Sequence, residues 1–218
     1  MSRAVIFDLD GTLIDSAPDI HAAANRVMQR HGFAPFSPQE TRGFIGNGVP
    51  HFIRCCLTAR GHGQDAALHA RLVEAFMADY ETAVTLTRAY AGVPEALSML
   101  TSDGLALGVC TNKPERPTRA VLTHLGLAGH FHTVIGGDSL PVRKPDPAPL
   151  QATIRAIGAR EVLYIGDSEI DAETAERAGQ RFVLYTEGYR KTLVNEISHA
   201  CAFTDFADLP GLVARLMP

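Results

Sequence analysis

The sequence contains no apolar run long enough to cross a membrane, so no membrane partner is expected. It has no surplus of positive charge either. Twenty Lys and Arg against 24 Asp and Glu leave a formal net charge of -4, without the basic footprint that a nucleic-acid partner requires. An anionic substrate is not thereby excluded, because a metal ion and a few lysines reverse the sign locally. Cysteine is sparse: Cys55, Cys56, Cys110 and Cys201 form no Cys-x-x-Cys pair. A disulfide framework or thiolate zinc site is therefore not expected, and a reducing cytoplasm fits. The nine histidines are scattered. His130 and His132 lie closest together, in a loop-like stretch without a third ligand, and read as surface residues. No internal repeat or low-complexity tract interrupts the chain, and too little precedes the first apolar run for a signal peptide to be expected. What is left is the composition of an ordinary globule, 218 residues long, enough for one large domain or a domain carrying an insert.

What is present begins at once. Ala4-Val5-Ile6-Phe7 runs straight into Asp8-Leu9-Asp10-Gly11-Thr12-Leu13. A continuous apolar run suits a strand buried on both faces of a parallel sheet. Ligands in such sheets sit beyond the carboxyl ends of the strands, where Asp8 and Asp10 emerge. Residues two apart share a face of a strand, so both carboxylates can point into one pocket. So close, they repel each other unless one is protonated or a cation lies between them. Gly11 permits a sharp turn, and Thr12 offers a hydroxyl and an amide there. A polar turn after a strand describes these five residues equally well.

After Leu13 the periodicity becomes helical for some seventy residues. Helices are predicted from Ser16 to His31, shortly after Pro38, from Pro50, and from Ala66 to about Thr82. That block is too long for a simple crossover and reads as a helical domain, residues 16–84, inserted into an α/β core of residues 1–15 and 85–218. Beyond it, strands and helices alternate. Strands are predicted at 105–110, around Val134-Ile135-Gly136, at 162–166 and, last, at 182–185. Helices are predicted at 93–100, Pro117 to Leu125, from Pro147, after Asp167 to Ala178, and near Asp208 to Leu216. The expected fold is a doubly wound, Rossmann-like parallel sheet whose strand ends carry Asp8, Thr111 and Asp167.

Asp8-Leu9-Asp10-Gly11-Thr12-Leu13 resembles the first signature of the haloacid dehalogenase-like hydrolases. Thr111-Asn112 resembles the second, Lys144-Pro145-Asp146-Pro147 the third in its phosphatase subgroup, and Gly166-Asp167-x-x-x-Asp171 the fourth. Each has a plainer reading: a helix-leading turn, a surface lysine, a pair of helix caps. Four signatures in order argue for phosphoryl chemistry. The resemblance implies that Asp8 is the nucleophile, that Asp10 is the general acid and base, and that Thr111 and Lys144 bind the phosphoryl group. It also implies Mg²⁺, a hard cation suited to carboxylates and phosphate, held by Asp8, the main-chain carbonyl of Asp10 and Asp167. Asp171 would be a direct or water-mediated ligand or a partner for Lys144. Asp10 counts against a dehalogenase, which lacks that acid. The absence of lysine from residues 16–84 counts against a phosphonatase, which takes an imine-forming lysine from its cap.

The inserted segment would lie over the strand ends as a lid. Its Gly43-Phe44-Ile45-Gly46-Asn47-Gly48-Val49-Pro50 stretch is either a flexible turn or an anion site of close-spaced amides at a helix start. Bacterial phosphoglycolate phosphatases have a very similar segment, and a similar Thr186-Glu187-Gly188-Tyr189-Arg190-Lys191 tail. The resemblance implies a small phosphorylated metabolite, 2-phosphoglycolate, with Gly46, Asn47, Gly48, Thr12 and Asn112 joining Thr111 and Lys144 around it. One alternative is a phosphatase for another small metabolite; another is a β-phosphoglucomutase-like mutase, which shares all four signatures and the cap position. A signalling receiver domain shares only the phospho-acceptor chemistry, and the large insert and Asp10 count against it. A monomer or homodimer is expected.

Overall fold

The computed structural model describes residues 2–218. Its elements in chain order are β1 (Arg3–Phe7), β2 (Ile14–Asp15), α1 (Ala17–Arg30), α2 (Pro38–Phe44), α3 (Val49–Ala59), α4 (Ala66–Tyr80), β3 (Arg88–Ala89), α5 (Val93–Ser102), β4 (Ala106–Cys110), α6 (Glu115–His124), β5 (Phe131–Ile135), α7 (Ala148–Ile157), β6 (Glu161–Gly166), α8 (Glu169–Arg177), β7 (Arg181–Tyr185), β8 (Cys201–Phe203) and α9 (Leu209–Leu216). Six strands form a parallel sheet in the order β5-β4-β1-β6-β7-β8. The expected doubly wound α/β architecture is what the chain adopts.

β1 is central because every residue from Ala4 to Phe7 is fully buried. Alternation sorts them onto two faces. Val5 and Phe7 pack with apolar residues of α5, α6 and α9, whereas Ala4 and Ile6 pack with Leu150 of α7 and Ala172 and Ala175 of α8. The chain order reverses at β1, with β4 on one side and β6 on the other. This is the switch point at which open α/β sheets bind ligands.

Between β2 and β3, helices α1 to α4 share a third core. Ile20, Ala23, Ala24, Val27 and Met28 recur at helical spacing on α1, facing Phe52, Ile53, Cys56 and Leu57 of α3 and Leu72, Phe76 and Tyr80 of α4. Each fully buried large apolar side chain contributes about 1.5–3 kcal/mol, so this set is ample to hold four helices together. Ser37 and Glu40 form a reciprocal capping box at the start of α2, the shortest of the four. Among the described residues no helix is long and apolar enough to cross a membrane.

Four features depart from expectation. The strand predicted at 134–136 begins at Phe131, so His132 lies in a strand and not a loop; its Nδ1 accepts the Leu107 amide, and its side chain is still exposed. Phe182–Tyr185 is not the last strand, since β8 pairs with β7 beyond it. At three residues, β8 is too short to show alternation. The β2–β3 pair, Ile14 opposite Ala89 and Asp15 opposite Arg88, is likewise a long-range contact with no local signature. Helix α6 also starts earlier than predicted, at Glu115.

Candidate active site

Asp8 is the first residue past β1, and its amide donates to Ile165 O of β6 at 2.8 Å. Lys144 Nζ lies 2.8 Å from Asp8 Oδ1 and 2.7 Å from Asp171 Oδ1. Its contact with Asp8 is a close ion pair without hydrogen-bond geometry, so Asp8 Oδ1 is buried with no hydrogen-bond partner. Burial alone would discharge Lys144, but Asp171 and Asp8 outweigh it and raise its pKa. Burial acts the other way on Asp8. It pushes the carboxyl up to about 6, against the pull of Lys144 and with the repulsion of Asp171. Asp167 is also raised well above the usual carboxylate range, by burial, then by Asp171 and Asp8.

Carboxylate oxygens of Asp8, Asp167 and Asp171 lie within 4.8 Å of one another. Three buried carboxylates with one lysine carry uncompensated negative charge, which is the environment a hard divalent cation suits. The surrounding main chain fits closely. A Cβ on Gly188 would stand 2.3 Å from Asp167 Cβ and Oδ2, and one on Gly11, where φ is +92°, 2.5 Å from Asp167 Oδ2. Asp167 accepts Thr12 Oγ1 at 2.8 Å and the Tyr189 amide at 2.5 Å, one on each oxygen. Thr12 is fully buried, and its hydroxyl is spent on Asp167 instead of being free for a substrate.

Asp171 differs from the other two. Its Oδ1 accepts Lys144 Nζ and Tyr164 Oη, and its Oδ2 accepts the amides of Asp167 and Ser168 and the Ser168 hydroxyl. With both oxygens engaged, it orients Lys144 and caps α8. Of the alternatives open to it in the sequence, that of a partner for Lys144 is the one the geometry favours.

Asp10 Oδ1 accepts Ser16 Oγ at 2.6 Å and faces Lys113 Nζ at 3.3 Å. Its Oδ2 takes no hydrogen bond among the described residues. Thr111 Oγ1 accepts the Lys113 amide at 3.2 Å, which leaves its own hydrogen to donate. Asn112 lines the cavity at the strand ends, and its Oδ1 is buried without a hydrogen-bond partner among the described residues. Its Nδ2 donates to Gly46 O and Lys144 O, both at 3.0 Å, tying the helical insert to the lysine loop.

A cavity of about 50 Å³ opens between Asp8, Asp10 and Thr111 on one side and Ile20, Phe52 and Phe76 on the other. Gly46 and Gly48 line it, but Asn47 between them does not. Gly48 has φ of +80°, and a Cβ there would come 2.9 Å from Arg143 Nη1 and 3.3 Å from Asn112 O. Only glycine lets the loop before α3 approach the strand ends this closely.

Several residues at the site have no role in the sequence reading. Tyr189 Oη accepts the amides of Ser16 and Ala17 and donates to Asp15. Asp19 Oδ2 takes the amides of Leu86 and Thr87 and the Thr87 hydroxyl, joining the two connections of the insert. The chain has only three lysines, and all three meet here: Lys144, Lys113, and Lys191, whose Nζ donates to Ile45 O. That scarcity was a signal in the sequence.

The raised carboxyl of Asp8 fixes the sign of a pH effect. Its pKa moves from 3.8 to about 6 on folding, so the metal-free folded chain binds protons more readily than the unfolded one. This contribution to stability falls as pH rises from about 4 through 6. Thermal melts of metal-free protein should show that fall, and Asp8→Asn should reduce it. Mg²⁺ should then raise Tm by more at pH 7.5 than at pH 5. An equal Mg²⁺ shift at both pH values would contradict this account of the cluster.

The profile of the haloacid dehalogenase-like hydrolases matches residues 5–185. A phosphoglycolate phosphatase of Cereibacter sphaeroides is 52% identical over 98% of both chains, and one of Rhodospirillum rubrum is 40% identical over 96% of this chain and 90% of its own. The crystal structure of a predicted phosphoglycolate phosphatase from Haemophilus somnus superposes with a TM-score of 0.88 at 29% identity, covering 97% of this chain and 98% of that one.

Proposed function

The chain belongs to the haloacid dehalogenase-like hydrolases, and on that footing we propose that it hydrolyses 2-phosphoglycolate to glycolate and phosphate through an aspartyl-phosphate on Asp8. The observation that carries this reading is the pairing at the end of β1. Asp8 lies against Lys144, and Asp10, two residues on, faces the same cavity with one oxygen uncommitted. Mg²⁺, held by Asp8, the carbonyl of Asp10 and Asp167, would supply positive charge against the phosphoryl oxygens. Lys144 and the Thr111 hydroxyl orient the same group and offset its repulsion by Asp8. Asp8 attacks phosphorus as the ester oxygen leaves, and Asp10 delivers a proton to that oxygen. Water then attacks the phosphorus of the acyl phosphate. Asp10 takes the water's proton, and the Asp8 carboxylate is released.

The helical insert acts as a lid, with Gly46 and Gly48 as its contact to the substrate and Asn112 as its clasp. The lid side of the cavity is lined by Ile20, Phe52 and Phe76, which offer no hydrogen-bond partners for the hydroxyls of the sugar phosphate a mutase would need. Every residue invoked comes from one chain, so a monomer and a homodimer would each be active. The four free thiols support a cytoplasmic setting. A phosphate-release screen over small phosphorylated metabolites tests the reading. 2-Phosphoglycolate should lead the panel, and chelator should silence it. Strong turnover of hexose phosphates with none of 2-phosphoglycolate would overturn the substrate.

A further inference from the structure

The phosphoryl end of the substrate is accounted for by Lys144, Thr111 and the carboxylate cluster. The other end must enter a cavity whose far walls are apolar side chains of the lid. Among the described residues, the cations lining that cavity reduce to one, Lys113. Its side chain is 3% exposed, although no sequence motif assigned it a task. Its ammonium donates to the Tyr80 hydroxyl and to Asp10 Oδ1, and lies 4.1 Å from the centre of the Tyr80 ring. An ammonium has three hydrogens, and the third takes no acceptor among the described residues. The contact to Asp10 is long, at 3.3 Å. Burying a cation is costly unless it is fully paired. Lys113 therefore sits desolvated, incompletely paired and at the wall that a short substrate's tail would touch.

Resting on the phosphatase reading above, we propose that Lys113 is the specificity-determining residue, its ammonium binding the carboxylate at the end of the substrate remote from phosphorus. Tyr80 positions it: the phenol fixes the ammonium from the lid side, so the carboxylate is read only when α4 is in place over the strand ends. With Asp8 and Asp10 both in the cavity, an anion without this cation would meet two carboxylates, apolar lid side chains and neutral polar groups, but no positive side chain among the lining residues. Lys144 does not serve this role, because it lies between Asp8 and Asp171 at the phosphoryl end and is not among the residues lining this cavity. The arrangement selects small phosphate esters bearing a carboxylate and disfavours neutral esters of the same size.

The test compares 2-phosphoglycolate with its amide, 2-phosphoglycolamide, which matches it in size and lacks the carboxylate charge. Wild type should prefer the acid. In Lys113→Met the ratio of kcat/KM for acid over amide should collapse by about 10- to 100-fold, the scale of one lost charge-assisted hydrogen bond. The loss should lie mainly in KM for the acid. Lys113→Arg should restore most of the preference, and turnover of the amide reports that each variant is folded. If Lys113→Met slows both substrates in equal proportion, Lys113 serves only Asp10 and the proposal falls. It falls as well if Lys113→Arg turns over the amide without preferring the acid. A wild type that shows no preference for the acid would overturn the substrate reading itself.

Discussion

Asp8→Asn is expected to abolish turnover, by ~10⁴-fold or more, as removal of a covalent nucleophile does. The amide is a poor nucleophile and carries no charge for Mg²⁺, yet the fold should survive. The main-chain bond from residue 8 to Ile165 does not depend on the side chain, and Lys144 keeps Asp171 and Tyr164. The variant should be at least as heat-stable as wild type without metal, because a buried carboxyl raised to about 6 is unfavourable as an anion at neutral pH. Activity and stability would thus move in opposite directions. Phosphate release with mass spectrometry to exclude deamidation, beside thermal melts, checks both. Retained activity would remove Asp8 from the chemistry.

Asp10→Asn should fail differently. Oδ1 is held by Ser16 and Lys113, so asparagine can keep that oxygen in place and lose only the proton-carrying one. The loss should be on the order of 10²- to 10⁴-fold for an alkyl ester. It should be smallest for an aryl phosphate whose acidic phenol leaves without a proton. Comparing the two leaving groups separates proton transfer from positioning. Equal losses on both would mean that Asp10 positions and does not donate.

The parts of the site that could be read in the sequence are those attached to a strand end. Asp8, Thr111 and Asp167 each follow an apolar run, and such a run has one plausible place in a parallel sheet. What escaped the sequence is what depends on contacts between distant segments. Thr12 looked available for a ligand until Asp167, 155 residues away, was found to accept its hydroxyl. Asn112 likewise gains contacts the sequence could not show, its Nδ2 bridging Gly46 O and Lys144 O. Lys113 carried no pattern beyond the scarcity of lysine, because its burial is created by the lid helix that brings Tyr80 to it. Strands β2, β3 and β8 are two or three residues long, shorter than any period a sequence can display. The helices between β2 and β3 were legible because amphipathic spacing is local. The elements that fasten it, Asp19 and Tyr189, were not.

The central claim is that hydrolysis passes through Asp8 in two displacements. The stereochemical course at phosphorus tests it most directly, using 2-phosphoglycolate made chiral with sulfur and oxygen isotopes and hydrolysed in water of a third isotope. Each in-line displacement inverts phosphorus, so attack by Asp8 followed by attack by water predicts net retention in the released thiophosphate. Net inversion would mean that water attacks the ester in a single step, and would contradict the role given to Asp8.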